Sequence, residues 1–208
     1  PYIILKWAQT ADGKIAHLNP PEGRTSGDSV VGRLLISNEY TNRLVHKWRS
    51  EEAAILIGTN TAMLDNPELT TRLWPGPSPV RLVMDMDLRL PVSLKVFNGE
   101  VRTIIFNSVR QEEKGNLVYY KLANGKNLTQ ELINALYQLK IQTVLVEGGA
   151  KLLQSFIDER IWDEVRIIKN EGLINKNGLN APVLNGSKDI YEQKFLSDTI
   201  EIYKPKHS

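Results

Sequence analysis

Short, nearly unbroken apolar runs recur along this chain and alternate with stretches of helical spacing. The series opens with Tyr2-Ile3-Ile4-Leu5-Lys6-Trp7-Ala8. It continues through Ala53-Ala54-Ile55-Leu56-Ile57, Val80-Arg81-Leu82-Val83-Met84-Asp85, Thr103-Ile104-Ile105-Phe106, Leu117-Val118-Tyr119-Tyr120 and Thr143-Val144-Leu145-Val146-Glu147. A strand apolar on consecutive residues is covered on both faces, which is the condition of a parallel sheet between helices. Between the runs, Asn38 is expected to cap a helix reaching about Ser50, with Tyr40, Leu44, Val45 and Trp48 at helical spacing. Thr59 is expected to cap a short helix through Leu64, closed at Asn66-Pro67 because the residue before proline disfavours the helical region. A helix opened by Thr129 carries Leu132, Ile133, Leu136 and Leu139 on one face, and another runs from Ala150 to Glu159. Asp163 to Lys169 and Thr199 to Tyr203 read as strands with no clear helix between them. The fold expected is α/β: a mostly parallel mixed sheet flanked by helices, with an antiparallel C-terminal edge.

The stretch from Asp12 to Gly32, rich in Gly, Pro, Ser and charge, reads as one long loop, and a loop of that length is functional or mobile. Lys204 to Ser208 reads as a frayed tail. The Pro/Gly stretch from Trp74 to Pro79 is too short to link domains, so residues 1–208 are expected to form a single domain.

Composition narrows the chemistry. There are 26 Lys and Arg against 24 Asp and Glu, with no basic stripe, which argues against a nucleic-acid binder. No apolar run reaches the ~18 residues of a membrane span, and no signal peptide precedes the first strand. With no cysteine there is no disulfide, zinc–thiolate site, iron–sulfur cluster or cysteine nucleophile, and a cytoplasmic location is expected. The imidazoles are His17, His46 and His207, scattered along the chain, and His46 is expected on the flank of its helix. Chemistry must therefore come from carboxylates, Lys, Arg and backbone amides, or from a borrowed organic cofactor. No metal is expected.

Two strand–helix joints are candidates for a site. Val146-Glu147-Gly148-Gly149-Ala150 delivers a carboxylate to the carboxyl edge of the sheet. Its glycines permit close backbone approach, and a helix then starts with free N–H groups that favour a phosphate. The same pattern also serves as a plain strand–turn–helix joint. It is neither a G-x-G-x-x-G fingerprint nor a Walker A loop. Ile57-Gly58-Thr59-Asn60-Thr61 repeats the logic, with Thr61 and Asp65 on one helix face, although taken alone it is better read with Thr59 as a cap and Asp65 as a turn residue before Pro67. Lys6 lies inside an apolar strand, either at a sheet edge with its head in solvent or paired with a carboxylate such as Asp65 or Glu147. Arg49 and Arg72 could grip a phosphate, or could form surface pairs such as Arg49 with Glu52. The four tryptophans read as core or pocket walls.

Taken in order, these segments resemble the reductase domain of riboflavin biosynthesis, which acts on 5-amino-6-(5-phosphoribosylamino)uracil. The matching stretches are Leu5-Lys6-Trp7-Ala8-Gln9-Thr10-Ala11-Asp12-Gly13-Lys14, Ala54 to Gly58 with Thr61, Leu64-Asp65-Asn66-Pro67-Glu68-Leu69-Thr70-Thr71-Arg72, Pro79 to Asp85, and Val146 to Gly149. The resemblance implies a dihydrofolate-reductase-like fold, NADPH as cofactor and, as in most members, a homodimer. Ala8, Gly58, Thr61, Asp65 and the turn Gly149, Ala150, Lys151, Leu152, Leu153, Gln154 and Ser155 would line the NADPH site. Arg49, Leu69, Arg72 and Glu147 would contact the phosphorylated ribosylaminopyrimidine, and Lys6, Asp65 and Glu147 would surround the reacting carbon. The chain is also similar to the C-terminal half of bifunctional enzymes that begin with a zinc deaminase. It has no H-x-E or P-C-x-x-C, and its start at Pro1 fits an excised C-terminal half. It departs from many members at Arg33-Leu34-Leu35-Ile36-Ser37, where they carry a small polar residue, one more residue and then Trp-Ile-Thr. Asn66 replaces an Asp and Met86 a Ser. The alternatives are a pterin or folate reductase on the same fold, or an NADPH-binding domain without catalysis.

Overall fold

The computed structural model describes residues 1–17, 34–123 and 127–206. In chain order the elements are β1 (Tyr2–Thr10), β2 (Lys14–His17), α1 (Glu39–Glu51), β3 (Ala54–Gly58), α2 (Thr59–Asp65), β4 (Val80–Met84), a 3-10 turn (Lys95–Phe97), β5 (Thr103–Asn107), β6 (Glu112–Lys114), β7 (Leu117–Lys121), α3 (Leu128–Gln138), β8 (Thr143–Val146), α4 (Ala150–Asp158), β9 (Glu164–Asn170), β10 (Gly178–Asn180), β11 (Ser187–Phe195) and β12 (Asp198–Pro205).

Ten of the strands build one sheet in the order β11-β12-β9-β1-β8-β3-β4-β5-β7-β6. From β9 across to β7 every neighbouring pair is parallel, so seven strands bring their carboxyl ends to one edge. Strands β11 and β12 then add an antiparallel edge, as the missing helix between the last strands implies. Strand β1 runs in the middle, with β8 on one side and β9 on the other, which explains why its sequence is apolar on consecutive residues.

Side chains alternate between the two faces with period two. Ile3, Leu5 and Trp7 join Leu56, Leu82 and Val146 in the main core, under Leu132 and Leu136 of α3 and Leu153 and Phe156 of α4. Ile4 faces the other way, where Val45 and Trp48 of α1 cover it with Leu145, Ile168 and Ile200. On that same second face Ile55, Ile57, Val83 and Ile105 pack against Ala62, Leu69, Leu90, Leu94 and Val96. Leu5, Leu56 and Leu82 are completely buried, and truncating any one of them to alanine would cost about 2–5 kcal/mol.

Helix α1 is fixed at its start from far along the chain. The Asn38 side chain accepts hydrogen bonds from the Tyr40 and Thr41 N–H groups, as expected of a cap. The fully buried Asp198 accepts from the Asn38 N–H at 2.8 Å and from the Thr41 hydroxyl at 2.5 Å. A carboxylate at a helix N-terminus satisfies donors and complements the helix dipole.

Several expectations are corrected. Lys14–His17, expected inside a loop, form β2, paired antiparallel with β10; residues 18–32 of that loop, and Arg33 of the divergent segment after it, lie outside the described residues. Thr59 is the first residue of α2 and not its cap. Gly58 takes the cap position without a side-chain bond, and the Thr59 hydroxyl donates to the Met84 carbonyl at 2.5 Å. Asn127, not Thr129, caps α3. The tail is strand as far as Pro205, with Ser187 opposite Pro205 and Lys188 opposite Lys204. Three tryptophans, Trp7, Trp48 and Trp162, are core residues, and Trp74 is half-buried under Lys47.

Candidate active site

Glu147 follows the last residue of β8, on the face that Leu145 shares with α1. Arg49, in the last turn of α1, meets it side-on: Nε donates to Oε1 at 2.9 Å and Nη2 to Oε2 at 2.6 Å. The two side chains are only 10% and 6% exposed, so this is a buried, bidentate ion pair. Burial alone would push the Glu147 carboxyl up. The Arg49 guanidinium, then the Lys6 charge and the hydrogen bonds from Arg49, outweigh it and hold the group down at about 2. The surface pair between Arg49 and Glu52 does not form; Glu52 faces Arg166 of β9 at 3.7 Å.

Lys6 has the parity of Ile4 and lies on the α1 face of a central strand, so the sheet-edge alternative falls. It is 9% exposed, and its ammonium acts on Glu147. Ala8, half-buried, follows on the same face. The polar strip of Lys6, Glu147 and Arg49 thus runs between the two apolar clusters of that face.

The segment after α2 closes over this strip. Asn66 ends α2 in a left-handed conformation, and its side chain accepts from the Lys95 N–H at 2.8 Å. Leu69 also has a positive φ, 55°, an uncommon conformation for a leucine, and its side chain is buried in the second cluster. The Leu69 side chain therefore belongs to the core. Arg49 Nη1 donates to the Thr70 carbonyl at 3.4 Å, and the Arg72 N–H donates to His46 Nδ1 at 3.0 Å. The Arg72 guanidinium is half exposed and paired with Glu68 at 2.6 Å, which Lys95 also contacts at 3.0 Å.

His46 is the residue that sequence reasoning misplaced. It is 2% exposed and not on a flank. Burial, then the neighbouring Arg49 and Arg72 charges, lower its pKa to about 4, so the imidazole is neutral near pH 7. Its one sequence signal is its position three residues before Arg49, on the same helix face.

The two glycine joints lie side by side because β3 and β8 are neighbours. A Cβ on Gly148 would stand 2.8 Å from Thr61 Cγ2, and Gly149 has φ +83°. Helix α4 begins there with no side-chain cap and no acidic residue in its first turn. Its first free N–H groups at the carboxyl edge suit a pyrophosphate, and Gly58 and Thr61 keep the approach narrow. The residues present thus fit a dinucleotide cofactor. Ala150 and Leu152 are half-buried and Lys151 is exposed, whereas Leu153 points into the main core. Gln154 accepts from the Val183 N–H, and the Ser155 hydroxyl donates to the Leu152 carbonyl. Asp65 is the exposed last residue of α2, one turn beyond Thr61.

The arrangement joins an ionised carboxylate, an ammonium and two guanidinium groups to an uncapped helix start on one sheet edge. It can hold a phosphorylated ligand, neutralise developing charge and move a proton.

Comparison with known proteins follows the same line. The family model described as RibD C-terminal domain matches residues 1–173. The riboflavin biosynthesis protein RibD of Aquifex aeolicus is 35% identical over 83% of this chain, and the chain spans about half of that relative, 48%. The 2,5-diamino-6-ribosylamino-4(3H)-pyrimidinone 5′-phosphate reductase of Methanothermobacter thermautotrophicus is 34% identical, over 80% of this chain and 76% of its own length. The crystal structure of a diaminohydroxyphosphoribosylaminopyrimidine deaminase/5-amino-6-(5-phosphoribosylamino)uracil reductase from Thermotoga maritima superposes with a TM-score of 0.81. It is 27% identical, over 99% of this chain and 57% of that one.

Proposed function

The chain belongs to the RibD C-terminal domain family, and from that premise we propose that it reduces C1′ of 5-amino-6-(5-phosphoribosylamino)uracil to the ribitylamino product of riboflavin biosynthesis. The observation that carries this reading is the convergence of Lys6, the Arg49–Glu147 pair and the uncapped start of α4 on one sheet edge. The names of the relatives favour it over a pterin reductase or a silent nucleotide-binding domain.

NADPH, when bound, supplies the hydride. The α4 N-terminus, Gly149 and Thr61 hold its phosphates, with Ala8, Gly58 and Asp65 beside them. Arg72 meets the 5′-phosphate of the substrate from the open side, exchanging Glu68 for it, and Arg49 stands behind with Glu147. Clamping the phosphate aligns C1′. The sugar must open to an imine or its tautomer before reduction. Lys6 and Glu147 polarise the opening sugar. Glu147, held ionised at about 2 with both oxygens bonded to Arg49, is too weak a base to take a proton near pH 7; it balances the Lys6 ammonium, which donates the proton that nitrogen or oxygen needs.

A second reading concerns the pyrimidine ring. Reductases named for 2,5-diamino-6-ribosylamino-4(3H)-pyrimidinone 5′-phosphate are covered by this chain over 76%, 78% and 87% of their length. Their names put the ring that still carries its second amino group beside the uracil as a substrate to test. A homodimer acting in the cytoplasm completes the proposal; no described helix is long and apolar enough to cross a membrane.

The test is NADPH consumption with freshly prepared uracil and diaminopyrimidinone substrates in parallel, alongside dihydrofolate. Consumption with one of the two phosphoribosyl compounds, and none with dihydrofolate, is expected. Consumption with dihydrofolate alone would overturn the reading.

A further inference from the structure

Among the buried titratable side chains of the described residues that the mechanism does not use, His46 lies against the proposed substrate arm. His46 is 2% exposed, lies on α1 one turn before Arg49, and accepts the Arg72 N–H through Nδ1 at 3.0 Å. Helix α1 thus grips the segment after α2 through Arg49 Nη1 on the Thr70 carbonyl and through His46 on the Arg72 amide, with the His46 ring also bonded to the Thr70 backbone. The first grip belongs to a residue that is locked to Glu147. The second fixes the backbone from which the Arg72 guanidinium projects.

We propose that His46 is a positioning residue: as a neutral imidazole it fastens the Arg72 arm to α1 and so sets how tightly the site takes the phosphate of its substrate. The proposal rests on the reading that Arg72 meets that phosphate. The chemistry asks for a neutral acceptor at this point. An apolar side chain would leave the Arg72 N–H buried without a partner, and a protonated ring would lose the acceptor and add a third cation. The charged groups facing the ring are Arg49 on its own helix, Arg72 on the arm and Glu147 at the end of β8. Two of the three are cations, and both oppose protonation of the ring.

His46→Ala, His46→Asn and Arg72→Ala are compared with the unmodified enzyme, using substrate with and without its 5′-phosphate. Asparagine places its Oδ1 near the position of Nδ1. For His46→Ala, KM for the phosphorylated substrate is expected to rise up to about tenfold, the scale of one lost neutral hydrogen bond. Its kcat should fall less, and KM for the dephosphorylated compound should barely change. His46→Asn should recover most of the loss.

A His46→Ala enzyme that keeps its full preference for the phosphate, while Arg72→Ala loses it, would overturn the role of His46 alone. An Arg72→Ala enzyme that keeps the preference overturns the phosphate reading, and this role with it. Should His46→Ala fail to fold, nitrogen NMR of the unmodified protein decides: the proton belongs on Nε2 at neutral pH, with Nδ1 bare. A proton on Nδ1 removes the acceptor and the proposal.

Discussion

Arg49 and Glu147 stand 98 residues apart in the chain and meet through two parallel hydrogen bonds, both donated by Arg49 in the last turn of a helix to Glu147 just past the end of a strand. The pair is nearly dry, so neither partner tolerates the loss of the other. It also keeps a carboxylate ionised beside Lys6.

Glu147→Gln should therefore damage folding and chemistry together. Leaving Arg49 buried and unpaired costs about 3–5 kcal/mol, read as a lower urea midpoint. Turnover should drop by about 10²-fold or more if, as proposed, this carboxylate balances the Lys6 ammonium beside the substrate. Lys6→Ala should show the second effect with NADPH affinity nearly intact. Near-normal turnover in both variants would contradict their assignment.

Acid should loosen the fold in two stages of the same sign. His46 is held near 4 against an ordinary 6.5, so its contribution is complete above pH 6.5 and lost as pH falls from 6.5 to 4, while the unfolded chain takes up the proton. Glu147 is held at about 2 against 4.5, and its contribution is lost as pH falls from 4.5 to 2. Urea midpoints at about pH 7 and pH 5 isolate the first stage, on the order of 1–2 kcal/mol, and His46→Asn should flatten it. An unchanged slope in that variant would contradict the assignment to His46.

Gly148→Ala should weaken cofactor binding and lower the unfolding temperature, because the new methyl group meets Thr61 Cγ2 at 2.8 Å. Adding Thr61→Ala removes that clash, although Ile57 Cγ2 at 3.1 Å remains, so partial rescue of stability is expected from the double variant. Additive losses would mean the two residues do not compete for this space.

Arg72→Ala should raise KM for phosphorylated substrate and leave its own fold intact. Its guanidinium is half exposed and paired with Glu68, and such surface pairs are worth about 0–1 kcal/mol. Steady-state kinetics together with a melting curve check both halves of the statement.

What could be read from the sequence was what is local. Glu147-Gly148-Gly149 ends an apolar run and opens a helix, so carboxylate, turn and free amides are all written within a few residues. The central strands declare themselves because both their faces are covered. Strand β11 does not: at the outer edge of the sheet most of its residues are charged, polar or aromatic, and its one strand partner is β12. Thr59 misled because its hydroxyl serves a neighbouring strand and not its own helix. His46 was illegible because its role depends on an amide 26 residues away in a loop whose path no pattern discloses.

The anchoring of α1 by Asp198 has a consequence for how the molecule comes into being. The Asn38 amide waits for a partner 160 residues later, and β1, made first, takes both neighbours from the last third of the chain. During synthesis, α1 and β1 therefore stay without these partners until the strands of the last third of these 208 residues have emerged. Contacts of such long range make folding slow and give a chaperone its opportunity. The site is assembled last, from parts that are made first.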